Sequence, residues 1–450
     1  MSIIPSYPEK AESSGRPLSG GSEMRYHMKN RVWLPLIFIL LLVLASRLAY
    51  SVAREERLSG LVISDMRTYD LLARNLAERG FYGIDQGPWP FRSYRPPLYP
   101  FLVSLVYRLF GYHHFAVRDL QAVLAAVSCL LLFFLGRELA GCAVALLGSF
   151  LFAADLSLVH LSGLFLSENL YLPLSFLLVW LLVRGFEKPK MITFAGAGII
   201  GGLAALCRPI ALPFLILVGL VPIIVSLWPR LRCGGRARST KMQSELYDCS
   251  ISEQTDGKPA GRGLRGWGVM LLAAGLTIAP WTLRNHRVLG GFVPISTNGG
   301  VMLWMGLHPG ASGGYHFPRE NNPLYITDEV KRNRIGYRES VRFVFSRPGE
   351  FISLMGKKMK QFWCGRLSTM SGKEWTLYLL LGVPGLLISF KKWKRWLIVY
   401  LYFISFTGVH LLVHGSSRYR LPLHPFVALW AALFLCRAWD KMRRRPAVRE

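Results

Sequence analysis

The sequence predicts an all-α polytopic membrane protein. It would be a bundle of about ten transmembrane helices, nine to twelve depending on where boundaries are drawn, with two ordered extracytoplasmic loops. Three observations lead there. Hydrophobic residues make up 52% of the 450-residue chain and charged residues only 18%, whereas ordinary soluble domains carry about 25% charged residues. The chain therefore lacks the polar surface to face water all round. Mean hydropathy is +0.31. The apolar residues gather into runs near the roughly 20-residue length that a helix needs to cross hydrocarbon. The same composition excludes a disordered chain, a fibrous protein and a disulfide-stapled secreted domain. The seven cysteines are scattered, most of them in apolar runs, with no CxxC or metal-type spacing. They read as membrane-core or cytosolic thiols.

The first span, Trp33 to Val52, follows a basic tail (1–32) and lies too far from the N-terminus for an ordinary cleaved signal peptide, so it is expected to stay as an anchor. Further spans are expected near 118–136, 142–161, 169–184, 192–206, 210–228, 267–283, 376–390, 396–414 and 421–437. Residues 98–110 are apolar but short, with Arg108 inside and Pro96 and Pro97 just ahead, which suits a helix lying in the membrane interface. With that segment not crossing, the basic tail, Arg137, Arg184 to Lys190, the 229–266 loop, Lys391 to Arg395 and the 438–450 tail all fall on the cytoplasmic side. The net charge of +28 then reports topology and contact with anionic membrane lipids. No nucleic-acid module is present, and nucleic acid is not an expected partner.

This orders the chain as a 1–32 cytoplasmic tail, a 33–228 N-terminal transmembrane catalytic module containing the extracytoplasmic loop 53–117, and a flexible basic cytoplasmic loop at 229–266. A 267–437 C-terminal transmembrane module with a second extracytoplasmic loop, 284–375, and a 438–450 basic tail complete it. Both outer loops mix aromatic, Pro and Gly residues with charges, a composition of folded structure rather than linker. No internal repeat is found.

The chemistry-bearing residues lie at the outer ends of these spans. In 64–76, helical spacing places Asp65, Tyr69 and Leu72 on one face and Asp70 and Arg74 on another. Asp65 reads either as a helix N-cap or as a functional acid near the headgroups. Arg95 precedes Pro96-Pro97 and is held on a stiff turn; it is either a phosphate ligand or a snorkelling anchor. Glu168, between apolar runs, is a functional candidate because a membrane-embedded acid is costly unless paired or used. Asp155 reads as a polar contact within the bundle. Arg95, Arg208, Arg284, Arg418 and Arg420 would all reach the outer face, where Lys and Arg are normally sparse. Their convergence invites an anionic ligand. There is no HExxH, GxSxG, Walker or GxGxxG pattern, which leaves a protease, hydrolase or nucleotide site without support.

The order of the motifs carries a resemblance. Asp65, Tyr69 and Ala73-x-Asn75-Leu76 are followed by Arg95-Pro96-Pro97-x-Tyr99-Pro100, Phe110-Gly111 and Arg118-x-x-Gln121. Ser167-Glu168, Arg208-Pro209, Pro280-Trp281-x-x-Arg284-Asn285 and Arg418-Tyr419-Arg420-x-Pro422 then complete the set. Over roughly 60–440 this resembles the C-type (GT-C) membrane glycosyltransferases, and within them the protein mannosyltransferase and lipid A aminoarabinose transferase group, family 39 and its bacterial relatives.

The resemblance implies a GT-C bundle with a juxtamembrane helix after the Pro-Pro. It also implies a polyprenyl-phosphate sugar donor, a hexosyl or pentosyl transfer on the periplasmic or lumenal side, and an envelope glycan, lipid or protein as acceptor. The family's first-loop acid corresponds to Asp65, which becomes the expected catalytic base, and its second acid to Glu168. Phosphate contacts map to Arg95, Arg418 and Arg420, with Tyr69, Arg208 and Arg284 as further candidates. The family often shows Asp-Glu where this chain has Asp65-Met66. No cofactor is implied with certainty; some relatives use a divalent metal and others none. A bacterial inner membrane is the expected location. The rival readings are a transporter or flippase for a lipid-linked anion, and a non-catalytic scaffold.

Overall fold

The computed structural model describes residues 32–53, 64–85, 90–224, 259–314, 322–365 and 372–443. The expected N-terminal tail, most of the 229–266 loop and the end of the C-terminal tail lie outside them. Among the described residues the chain is helical, without a named strand; an isolated bridge joins Ile84 and Phe91.

Each of the ten expected spans coincides with helix over most of its described residues, the one at 210–228 only as far as 224 and the one at 142–161 broken at Asp155. The N-terminal part contains α1 (Trp33–Ala53), α2 (Ser64–Arg79), α3 (Leu98–Phe110), α4 (His114–Ala140), α5 (Cys142–Ala154), α6 (Leu156–Ser162), α7 (Glu168–Glu187), α8 (Met191–Cys207) and α9 (Ala211–Leu217). The C-terminal part contains α10 (Pro259–Leu289), α11 (Gly299–Gly306), α12 (Glu329–Ser346), α13 (Pro348–Cys364), α14 (Gly372–Ser389), α15 (Trp393–Val413) and α16 (His424–Arg443). Among the described residues, six helical stretches are long and apolar enough to cross a membrane, or seven if the bent pair α5–α6 is one span. One of the six, Trp375–Val413, holds both α14 and α15, while α8 is shorter than a full span. The tallies differ because two expected spans share Trp375–Val413, one is the bent pair α5–α6, and two fall on the shorter apolar helices Met191–Cys207 and Ala211–Ile224.

The packing has local causes. Gly141, at φ 95°, lets the chain reverse between α4 and α5. Gly198 and Gly202 bring α8 against α10: a Cβ at Gly202 would lie 2.9 Å from the Ala274 carbonyl, so only glycine permits that approach. Asp155 breaks α5 from α6 with a 60° bend. Its Oδ1 accepts from Ser157 N (2.9 Å) and Leu158 N (3.2 Å), and its Oδ2 lies 2.8 Å from His424 Nδ1. Asp155 is the bundle contact its sequence context suggests. The start of α16 is the most enclosed segment, with His424 to Leu433 all buried between α5 and α14.

The 98–110 segment is the helix expected, and it packs on α2 rather than standing alone. Asp70 of α2 ties the two helices together, accepting from Tyr107 and, at 2.7 Å, from the Tyr112 hydroxyl just beyond α3. That latch leaves the opposite face of α2, with Asp65 and Tyr69, turned towards the ends of α7, α8 and α15.

Candidate active site

Five chain segments meet here. Asp65 stands in the first turn of α2, where an acid also favours the helix dipole. One of its oxygens takes the Arg95 guanidinium; the other accepts from Arg418 Nη1 at 3.1 Å. Its carboxylate therefore engages side chains from other segments, a role beyond that of a cap. Arg418 continues to the second acid, with Nη2 and Nε 3.1 and 3.2 Å from Oε1 of Glu168. Glu168, the first residue of α7, has no exposed surface, and its Oε2 lies 2.7 Å from Arg208 Nη1. The order Arg95–Asp65–Arg418–Glu168–Arg208 is thus one continuous chain of charge-assisted hydrogen bonds.

Aromatic rings form the bed of this chain. Arg95 lies over Tyr69 (5.5 Å) and Tyr94 (5.1 Å), and Arg208 and Arg418 each lie 5.7 Å from the Tyr419 ring. The Tyr69 hydroxyl donates to Ser167 Oγ at 3.2 Å, which places it beside Glu168. The motif thus contributes Tyr69 as a wall and a hydrogen bond. Cation–π contact of this kind stabilises a desolvated guanidinium by up to about 2 kcal/mol.

The Arg95 turn is rigid for more reasons than its prolines. The Tyr82 hydroxyl donates to the Arg95 carbonyl (2.8 Å) and the Pro96 carbonyl (3.1 Å). Arg284 donates to the carbonyls of Arg92 (2.7 Å) and Tyr82 (2.8 Å), and the Ser93 hydroxyl donates to Asn285 Oδ1 at 3.0 Å. Arg284 is therefore spent on backbone carbonyls and stands outside the charged chain. Arg420 does likewise: its Nη1 donates to the carbonyls of Phe362 (2.8 Å) and Gly365 (2.8 Å) and closes the end of α13. Sequence reasoning grouped five arginines by membrane side, and the fold brings three of them, Arg95, Arg208 and Arg418, to the two acids. It missed Tyr82, Ser93 and Glu329, which hold the turn; no motif marks them, although a tyrosine or serine among glycines and prolines is a common anchor for a turn.

Three guanidinium groups face two carboxylates, an excess of one positive charge. Burial pushes the Asp65 carboxyl up, and the guanidiniums of Arg95 and Arg418 more than offset this and hold it below its ordinary value. Burial raises the Tyr69 phenol, so it acts as a neutral donor. Both acids are occupied by guanidiniums, and among the described residues no group of three His, Cys, Asp or Glu side chains suited to a metal ion comes together. The described residues around the two acids do not form a divalent-metal ligand set.

Comparison with known proteins bears on this arrangement. Residues 94–232, about a third of the chain, match the family described as dolichyl-phosphate-mannose-protein mannosyltransferase; they include Arg95, Glu168 and Arg208. No curated protein matches the chain in sequence. Among solved structures, the archaeal oligosaccharyltransferase AglB from Archaeoglobus fulgidus, in complex with an inhibitory peptide and a dolichol-phosphate, is 11% identical with a TM-score of 0.57. It is matched over 94% of this chain and 53% of its own. The Archaeoglobus fulgidus oligosaccharyltransferase in complex with Zn and sulfate is 13% identical with a TM-score of 0.55, over 92% of this chain and 50% of its own. The present chain thus spans about half the length of these proteins. ArnT from Cupriavidus metallidurans, bound to undecaprenyl phosphate, is 14% identical over 92% of this chain and 79% of its own, at a TM-score of 0.37, too low to bear on the fold. The chain shares the fold of these archaeal oligosaccharyltransferases, and its residues 94–232 match the model of the dolichyl-phosphate-mannose-protein mannosyltransferase family.

Proposed function

We propose that this protein is a membrane glycosyltransferase that moves a sugar from a polyprenyl-phosphate donor to a hydroxyl or phosphate acceptor at the extracytoplasmic face of a bacterial inner membrane. The acceptor class comprises lipid A or its core, another envelope glycan, or a protein. The observation that carries this reading is the chain Arg95–Asp65–Arg418–Glu168–Arg208, partly buried around a fully buried Glu168, with its one positive charge in excess. It is suited to a phosphate beside a carboxylate. The fold shared with the archaeal oligosaccharyltransferases supports it, as does the dolichol-phosphate bound in one of those structures.

The acceptor hydroxyl attacks the anomeric carbon. Its oxygen forms the new glycosidic bond while the bond from that carbon to the donor phosphate oxygen breaks, and the electron pair leaves with polyprenyl phosphate. Attack opposite the leaving group inverts the anomeric centre. The hydroxyl proton passes to Asp65, a step typically worth about 10²–10⁴-fold. With both guanidiniums on it, Asp65 is a weak base. A donor phosphate that draws Arg95 and Arg418 towards itself removes those charges and raises Asp65 basicity where the donor is in place. The same arginines then stabilise the charge growing on the leaving phosphate. Glu168, pinned by Arg208, fixes the far side of Arg418, so that this guanidinium can turn only between Asp65 and the phosphate.

The test is donor turnover. The full chain, purified in detergent with native lipids, is offered polyprenyl-phosphate sugars with crude envelope acceptors, and polyprenyl phosphate release is followed. Wild-type turnover that disappears in Asp65→Asn supports the reading and names the donor. Turnover unchanged in Asp65→Asn sinks Asp65 as the base.

A further inference from the structure

Glu329 lies far in sequence from every motif above, yet its carboxylate reaches the Arg95 turn. It is the first residue of α12 and is buried, 6% exposed. Oε1 accepts from the Arg92 amide (2.9 Å), while Oε2 accepts from the Ser93 amide (3.3 Å) and the Thr297 hydroxyl (2.7 Å). The Ser93 carbonyl in turn accepts from the Thr297 amide at 2.9 Å. From the same helix, Arg332 lays its guanidinium over Phe91 (5.3 Å) and Tyr94 (5.8 Å). The helix itself starts on Asp328, which caps it through Val330 N and Lys331 N. The Glu329 side chain is thus free of capping duty and is given to the turn and to Thr297, whose amide donates to the same turn.

A buried carboxylate is costly unless its oxygens are satisfied, and this one is satisfied by the turn two residues ahead of Arg95. Tyr82 holds the far end of the same turn. The backbone that carries Arg95 is therefore pinned at both ends, by Tyr82 of the same connection and by Glu329 from the start of α12. A flexible arginine reaches a defined place only if its Cα is fixed, and misplacing a reactive group by about 1 Å can cost about 10²-fold in rate.

We propose that Glu329 is a positioning residue for the transfer reaction, holding the Arg92–Ser93 backbone so that the Arg95 guanidinium meets Asp65 and the donor phosphate. This rests on the role given to Arg95 and Asp65 above.

The test is a double-mutant cycle on the full-length protein with Glu329→Ala, Glu329→Gln, Arg95→Ala and the combined Arg95→Ala/Glu329→Ala variant. Two readouts are taken: the kcat and KM of polyprenyl phosphate release, and the titration of the Asp65 carboxyl. The second is followed by infrared difference against Asp65→Asn and needs no turnover. The proposal expects Glu329→Ala to lower turnover by about 10²-fold and to have no further effect in the Arg95→Ala background. It expects the Asp65 titration to move upward in Glu329→Ala as it does in Arg95→Ala. Glu329→Gln, which keeps one acceptor oxygen, should fall between. An equal loss in both backgrounds, or an Asp65 titration unmoved by Glu329→Ala, would overturn it. If Arg95→Ala leaves turnover intact, the role of Arg95 in transfer fails separately, and the infrared titration alone still decides whether Glu329 places Arg95. Should Glu329→Ala not fold, Glu329→Gln and Thr297→Val take its place in the same cycle.

Discussion

Arg208 Nη1 lies 2.7 Å from Glu168 Oε2, and Glu168 has no exposed surface. The pair joins the start of α7 to the turn after α8, next to the Tyr419 ring. Removing one partner of a buried pair costs up to about 3–5 kcal/mol when the other charge is left alone; Arg418 still holds Oε1 of Glu168, so this is an upper bound here. Arg208→Ala should therefore destabilise the fold by up to that amount, visible as a lower Tm. Arg208→Ala/Glu168→Gln should be milder than the sum of its parts. Equal Tm for wild type and Arg208→Ala would show that the pair adds nothing to stability.

Arg418 and Arg420 should behave oppositely despite being two residues apart. Arg418 bridges both acids, so Arg418→Ala should lower kcat by about 10²–10³-fold, the size of a lost charge-stabilising donor. Arg418→Lys should rescue little, because a single ammonium cannot span two carboxylates. Arg420 serves backbone carbonyls at the end of α13; Arg420→Ala should lower Tm while the folded fraction keeps its KM for donor. A KM raised in Arg420→Ala at unchanged Tm would contradict this division.

The acid limb of kcat/KM should locate Asp65. Facing it are Arg95, Arg418 and Glu168, and the net effect holds its carboxyl below 3.8. Because the folded value is depressed, its contribution to stability is present above pH 3.8 and is lost as pH falls through the lower folded value. The kcat/KM profile, which reports the free enzyme, should show no Asp65 limb above pH 3.8. Arg95→Ala and Arg418→Ala should each move that limb upward. A limb that stays in place in both variants would mean another group sets it.

Lys358 of α13 is fully buried, and burial lowers its ammonium from 10.5 to about 7. Its Nζ donates to the Leu412 carbonyl at 3.0 Å. The unfolded chain binds this proton more tightly between those two values, so stability gained from releasing it rises with pH from about 7 to 10.5. The Tm difference between Lys358→Met and wild type should therefore change in favour of wild type across that window and level off outside it. A pH-independent difference would place the proton elsewhere.

The class of molecule and the places of most helices are legible in the residues alone. Apolar runs such as Trp33 to Val52 have no stable alternative to a helix in hydrocarbon, because each must satisfy its backbone within itself. Glu168 stands out for the same reason, since an acid between apolar runs is expensive, whereas Asp65 reads from its residues as a cap or a functional acid and becomes the expected base only through the motif resemblance. The short helix at 98–110 was also legible, from its length. Only the tertiary structure decided which arginines meet those acids. Arg284 and Arg420 have the same residue type and neighbourhood in sequence as Arg95 and Arg418, and a guanidinium serves backbone carbonyls as readily as carboxylates. The choice depends on what lies within a few ångströms once distant helices pack. Glu329 is the extreme case: nothing around it in sequence points to residue 92, and its role exists only because α12 starts against the Arg95 turn.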